Sequence, residues 1–257
     1  MSGLADLTAA PDQIAYLDAA ARTPVGLDYK QRLLAALDVR PGQTVVDLGC
    51  GPGTDLAALA DAVGADGTVV GIDHQPRMVA EAAGRLADRP TVDLREGDLH
   101  DLPLPDASVD RLRVDRVLQH VEHPERAVAE ARRVLRPGGL FGMAEPDWDT
   151  LAVADADVTT SRRFARFTAG RVRNATMGRH LVRLADAAGF RIRSVEPVAV
   201  LFQDFATADQ ILGLRRNAAR AVAAGELTET DVAPWLRRLE TGPLVAGFTF
   251  YLVVAEV

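Results

Sequence analysis

The chain has 257 residues, is 48% hydrophobic and carries a net charge of −7, enough for one large domain, or a domain with a cap, and a full core. The acidity argues against general nucleic-acid binding, and no apolar run approaches the ~18 residues that a membrane span needs. One cysteine, Cys50, excludes an internal disulfide framework; with Asp6 and Asp12 at the start and no basic leader segment, it predicts a cytoplasmic protein.

Residues 11–38 carry two helical patterns, divided by Pro24 and Gly26. Ile14, Leu17 and Ala21 share one face, and Leu33, Leu34 and Leu37 another. Pro41-Gly42 then turns into an apolar strand, Val45-Val46-Asp47-Leu48, which runs straight into Gly49-Cys50-Gly51-Pro52-Gly53. Such a loop lets backbone approach a nucleotide-like ligand. The spacing Gly49-x-Gly51-x-Gly53 does not fit the dinucleotide frame Gly-x-Gly-x-x-Gly. Asp47 beside the loop would repel a pyrophosphate and suits a ligand that carries an amino group. Asp55–Val63 reads as a helix closed by Gly64. A second strand, Val69-Val70-Gly71-Ile72-Asp73, ends in an acid that can accept from both hydroxyls of a ribose.

Pro76–Ala87 is the next helix, and strand three lies at 91–95, ahead of Gly97-Asp98-Leu99. Strand four covers Ser108–Val114, a helix Pro124–Leu135, and strand five Leu140–Ala144 after the turn Arg136-Pro137-Gly138-Gly139. This alternation predicts an α/β fold with a doubly wound, mainly parallel sheet, and a ligand at the carboxyl ends of the first two strands. Beyond Glu145 the reading is a helix over 155–175, a helix Gly178–Ala188, a strand Arg191–Phe202, helices Thr207–Ala224 and Thr230–Leu239, and a final apolar strand Gly247–Val257. Nine arginines between Thr160 and Arg193 face one acid, Asp186; they form a solvated basic face or a basic rim for an anionic substrate or partner.

The segments Val45–Asp55, Gly71-Ile72-Asp73, Gly97-Asp98-Leu99, Val114–His120 and Leu135–Leu140 together resemble the class I S-adenosylmethionine (SAM)-dependent methyltransferases. Within that family they resemble the small-molecule group like the ubiquinone/menaquinone methyltransferases. The resemblance covers roughly residues 40–145, the expected cofactor-binding core. It implies a Rossmann-like seven-stranded sheet whose last strand runs antiparallel, with 1–38 as a helical lid and 147–177 and 205–242 as helical cap insertions in a single domain, 1–257.

By the same resemblance, Gly49, Gly51 and Gly53 line the methionine and ribose of SAM and Asp47 reaches its amino group. Asp73 holds the ribose, His74 and Met78 pack near the adenine, Asp98 and Leu99 meet the adenine edge, and Val114 and Asp115 touch the methionine moiety. His120 matches a histidine common in this group; with Asp147 it is the candidate base. Trp148, Phe164 and Phe167 are the candidate substrate wall, with Phe202, Phe205 and Trp235 as further aromatics. No metal-ligand pattern and no nucleophile elbow is present.

These features predict a methyltransferase acting on O, N or C of a small, largely apolar metabolite, without nucleic-acid or membrane partners, as a monomer or homodimer. Alternatives are a SAM-binding protein of the same fold that catalyses a rearrangement or cyclisation, and a non-catalytic ligand-binding module. A macromolecular methyltransferase exploiting the arginine segment is a third.

Overall fold

The computed structural model describes residues 12–257; the start of the expected lid, 1–11, lies outside the described residues. Two helices come first, α1 (Gln13–Arg22) and α2 (Pro24–Ala36). Thr23 divides them: its hydroxyl accepts from the Gly26 N–H, and Pro24 supplies a helix-ready first residue.

The central unit alternates strand and helix as expected: β1 (Thr44–Leu48), α3 (Leu56–Val63), β2 (Thr68–Asp73), α4 (Pro76–Arg85), β3 (Val92–Glu96), β4 (Val109–Asp115), α5 (Pro124–Val134) and β5 (Leu135–Val153). There follow α6 (Val158–Ala169), α7 (Met177–Ala187), β6 (Arg191–Phe202), α8 (Phe205–Leu212), α9 (Leu214–Ala223), α10 (Glu229–Thr241) and β7 (Ala246–Glu256). The seven strands lie in one sheet, ordered β3-β2-β1-β4-β5-β7-β6. β1 to β5 pair in parallel, and β7 runs antiparallel between β5 and β6. The order reverses between β1 and β4, which opens a crevice above their carboxyl ends.

Burial explains the runs. Val45, Val46 and Leu48 are covered on both sheet faces, so β1 is nearly continuous in apolar residues. One face packs Leu33 of α2 and Leu37 just after it with Phe164, Phe202, Trp235 and Phe250. The other packs Leu112 and Phe141 with Val128 of α5 and Leu181 of α7. Among the described residues no helix is long and apolar enough to cross a membrane.

Three boundaries differ from the sequence reading. The fifth strand extends from Leu135 to Val153, because β7 pairs with it through Asp147 and again at Ala152 and Val153. The expected helix over 155–175 stops at Ala169. The helix expected over Thr207–Ala224 breaks at Gly213, which adopts a left-handed conformation and separates α8 from α9.

Candidate active site

The glycine loop is a tight left-handed run. Gly49, Gly51 and Gly53 have φ of 66°, 55° and 78°, a region that penalises any Cβ. The N–H groups of Gly49 and Cys50 both donate to the Ile72 carbonyl, at 2.7 and 3.0 Å. Asp73 locks the loop from β2: one carboxylate oxygen accepts from the Gly51 N–H and the other from the Gln75 N–H, each at 2.9 Å. Beside the loop lies a cavity of about 790 Å³ whose wall includes Gly49, Gly51, Asp73, His74, Met78, Asp98, Leu99 and Asp115. Gly53 and Val114 are off that wall. Gly53 backs onto Ala82 of α4, and Val114 is fully buried in the sheet. Asp98 is largely exposed and accepts from the His100 N–H at 2.9 Å, a bond that holds its carboxyl below the usual range.

Asp47 does not face this cavity freely. Parallel register sets it opposite Arg113 of β4, and Arg113 Nη1 donates to both its oxygens at 3.0 and 3.1 Å. Arg113 Nη2 reaches Asp55 and Asp115, both at 2.7 Å. Lys30 of α2 closes the cluster, donating to Asp55 and, at 2.8 Å, to Asp115. The Tyr29 hydroxyl donates to both Asp115 oxygens at 3.1 Å.

Burial pushes Asp47 up to about 6 against the pull of Arg113. For Asp55 burial acts the same way, but Arg113 and Lys30 outweigh it and hold the carboxyl low. Such charges persist out of water only when paired. Together these groups border a small cleft under the glycine loop, lined by Lys30, Asp47, Gly49, Gly51, Arg113 and Arg116. Sequence reasoning missed Tyr29, Lys30, Asp55 and Arg113. The only local signal was that Lys30 is the sole lysine; Arg113 is one of four charged residues in the seven of β4 and does not stand out.

Beyond β4 the chain turns sharply at Arg116, whose φ is 58°. Glu145 of β5 holds the turn from Val117 to Gln119. Its Oε1 accepts from the N–H groups of Val117 and Leu118 at 2.8 and 2.6 Å, and Oε2 from that of Gln119 at 3.4 Å. Burial lifts its carboxyl to about 8 despite these three bonds. The turn delivers His120 to the wall shared by the large cavity and a second one of about 190 Å³. Enclosure and the nearby Arg116 guanidinium lower the His120 pKa, so the imidazole is neutral near pH 7.

The second cavity is apolar. Trp148 stacks on Phe248 with ring centroids 4.7 Å apart, and Tyr29 on Phe250 at 4.6 Å; Phe202 completes this wall. The Trp148 indole N–H donates to Gln119 Oε1 at 2.8 Å. Strand alternation sends Pro146 and Trp148 to this side and Asp147 to the other. Asp147 is fully buried there, gripped by Arg179, and lines none of these cavities. Phe164 packs on Trp235 in the core, with centroids 4.9 Å apart, and Phe167 lies under Arg171; neither is on the wall. Phe205 lies under Arg215. In the basic segment, Arg179 pairs with Asp147, and Arg191 and Arg193 with Glu256. Among the described residues no cluster of three or more His, Cys, Asp or Glu could hold a metal.

Residues 46–143 match a family model described as a methyltransferase domain. The whole chain aligns, at 49% identity, with 74% of an uncharacterized 37.1 kDa protein in a transposon of Streptomyces fradiae. A demethylmenaquinone methyltransferase of Desulfitobacterium hafniense is 34% identical over 129 residues, 47% of this chain; the match spans about half of that relative (51%). Among solved structures, a SAM-dependent methyltransferase from Aquifex aeolicus shares the fold with a TM-score of 0.60 at 18% identity, over 97% of this chain and 100% of that one.

Proposed function

The chain belongs to the class I SAM-dependent methyltransferases, and on that premise we propose that it methylates a small, largely apolar molecule in the cytoplasm. The observation that carries this reading is the meeting of two chambers at His120 and Arg116: one large and polar-rimmed, the other small and aromatic. The residues present fit the cofactor. Gly49 and Gly51 present bare backbone on the cavity wall, and Asp73 lies at the loop on the same wall.

SAM supplies a methyl group activated on a sulfonium. In this reading Asp73 accepts from the ribose hydroxyls, Met78, His74, Asp98 and Leu99 frame the adenine, and the cleft at Lys30, Asp55 and Asp115 takes the charged methionine end. Asp47 acts through Arg113, which it holds in place. Trp148, Phe202, Phe248 and Phe250 orient the acceptor and keep water out; much of the rate comes from that positioning. His120, neutral and facing both chambers, takes the proton of a protic acceptor. Asp147 serves as the anchor of Arg179. α1 and α2 act as the lid, and the helices around 147–177 and 205–242 as the cap. The apolar chamber agrees with the quinone-like acceptor in the demethylmenaquinone relative's name.

The test is calorimetric titration with S-adenosylhomocysteine (SAH), with NAD as control. SAH should bind, NAD should not, and Asp73→Ala should weaken SAH at least ~tenfold by removing hydrogen bonds to a buried charge. Products read by mass should be one methylene unit heavier than the acceptor, with SAH released. An unchanged product mass with SAM intact would point instead to a rearrangement.

A further inference from the structure

The small aromatic chamber contains a fixed cation and no carboxylate. Its polar wall groups are Arg116, His120, Gln119, Thr23, Tyr16 and Tyr29. Gln119 is committed: its carbonyl accepts from Trp148, and its amide donates to the Arg116 carbonyl at 3.3 Å. Arg116 is different. Its side chain is mostly enclosed, and its Nε has no hydrogen-bond partner. Its carboxylate neighbour, Asp115, stands 3.5 Å from Nε and is already taken by Arg113, Lys30 and Tyr29.

A guanidinium offers five donors in a rigid fork that matches a carboxylate. Here its ion pair, Nε to Asp115 at 3.5 Å, is made without a hydrogen bond, so the fork gains from a matched acceptor. The left-handed backbone at Arg116 is a further cost, one that an arginine is not chosen to minimise.

We propose that the methyl acceptor is an apolar organic acid, bound as its anion with the anionic group on Arg116 and its carbon body against Trp148, Phe202, Phe248 and Phe250. The inference rests on the methyltransferase reading above and narrows its substrate class. Arg116 thus acts as a specificity residue, while the neighbouring His120 stays neutral for the atom that receives the methyl group.

The experiment uses octanoate and 1-octanol, which share a chain and differ in charge. Each is titrated into the SAH-saturated protein at about pH 8, where His120 is uncharged. Octanoate should bind at least ~tenfold more tightly than octanol, the gain of a charge-assisted pair. Arg116→Asn, whose side chain tolerates the left-handed backbone, should erase that preference, and Arg116→Lys should keep part of it.

Equal binding of the two probes by the wild-type protein overturns the proposal, as it would if the SAH carboxylate occupied Arg116. A preference that survives in Arg116→Asn overturns it as well. The same pair titrated without SAH separates the two readings. No SAH binding with a retained octanoate preference would sink the methyltransferase reading and leave the anion site standing.

Discussion

Glu145 shows how a residue away from the chemistry sets its geometry. It touches neither cavity, yet its carboxylate caps three successive N–H groups of the turn that carries His120. The folded chain raises its pKa to about 8, against ~4.3 for a free glutamate. Folded protein therefore retains a proton that the unfolded chain releases. The associated stability is present in full below ~4.3 and is lost as pH rises toward the folded value. Glu145→Gln cannot ionise, so its melting temperature should fall less between about pH 5 and pH 8. The difference in melting temperature should move by at least ~3 °C in the variant's favour over that range. The weak Gln119 contact adds only a constant offset, so the measurement is the change with pH. A gap that does not move would mean that Glu145 is ionised throughout.

At this scale the sequence was read most unevenly. Asp73, Met78, Asp98 and His120 could be placed at the cavity because each follows a strand end at family spacing. Arg113 could not. Its partner Asp47 is 66 residues away, and only the pairing of β1 with β4 brings them face to face. Asp147 reads as a pocket-mouth acid from its position after the strand expected at Leu140–Ala144, but it lies within β5, where strand alternation turns it away toward Arg179.

Elements depend on the same few backbone positions. The β1 turn works because Gly49 lacks a side chain: a Cβ there would stand 2.5 Å from Val117 Cγ2. Gly49→Ala should destabilise the chain by about 2 kcal/mol or more, the left-handed cost of an L-residue plus the clash. It should also weaken SAH, because Val117 leads into the His120 turn. Adding Val117→Ala should restore part of the stability in urea unfolding, since it relieves the clash and leaves the strain. No recovery would place the whole cost in the backbone.

Strand and helix identities were largely legible, because apolar runs and caps are local. The ends were not. Leu212-Gly213-Leu214 keeps helical spacing across the break between α8 and α9, so periodicity alone runs through it. The sequence reading starts the first cap insertion at 147, yet Asp147–Thr150 belongs to β5, where β7 aligns beside it, with the Thr249 N–H donating to the Thr150 hydroxyl at 2.7 Å.

For the whole molecule, the decisive fact is convergence. Tyr16 and Leu17 of α1, Phe202 of β6 and Phe248 of β7 meet around one chamber from distant parts of the chain. No local pattern announces that meeting, and so Phe164 and Phe167 read as wall residues while Phe248 and Phe250 did not. α2 is fastened over the crevice by Tyr29 and Lys30, whose partners Asp55 and Asp115 belong to the glycine loop and β4.

Under the proposed lid role of α1 and α2, this fastening offers a way to time their opening. Lys30 is the only lysine in the chain, and its side chain is 12% exposed. On the proposal that α1 and α2 form a lid, an amine-acylating ester meets one side-chain amine, guarded by two carboxylates, and should react with it when α2 lifts away. The acylation rate of Lys30, followed by peptide mass, becomes a stopwatch for the lid. Saturating SAH should slow it at least ~tenfold, because a ligand that favours the closed form reduces the open population in proportion. An unchanged rate would mean that the helices rise and fall without regard to what lies beneath them.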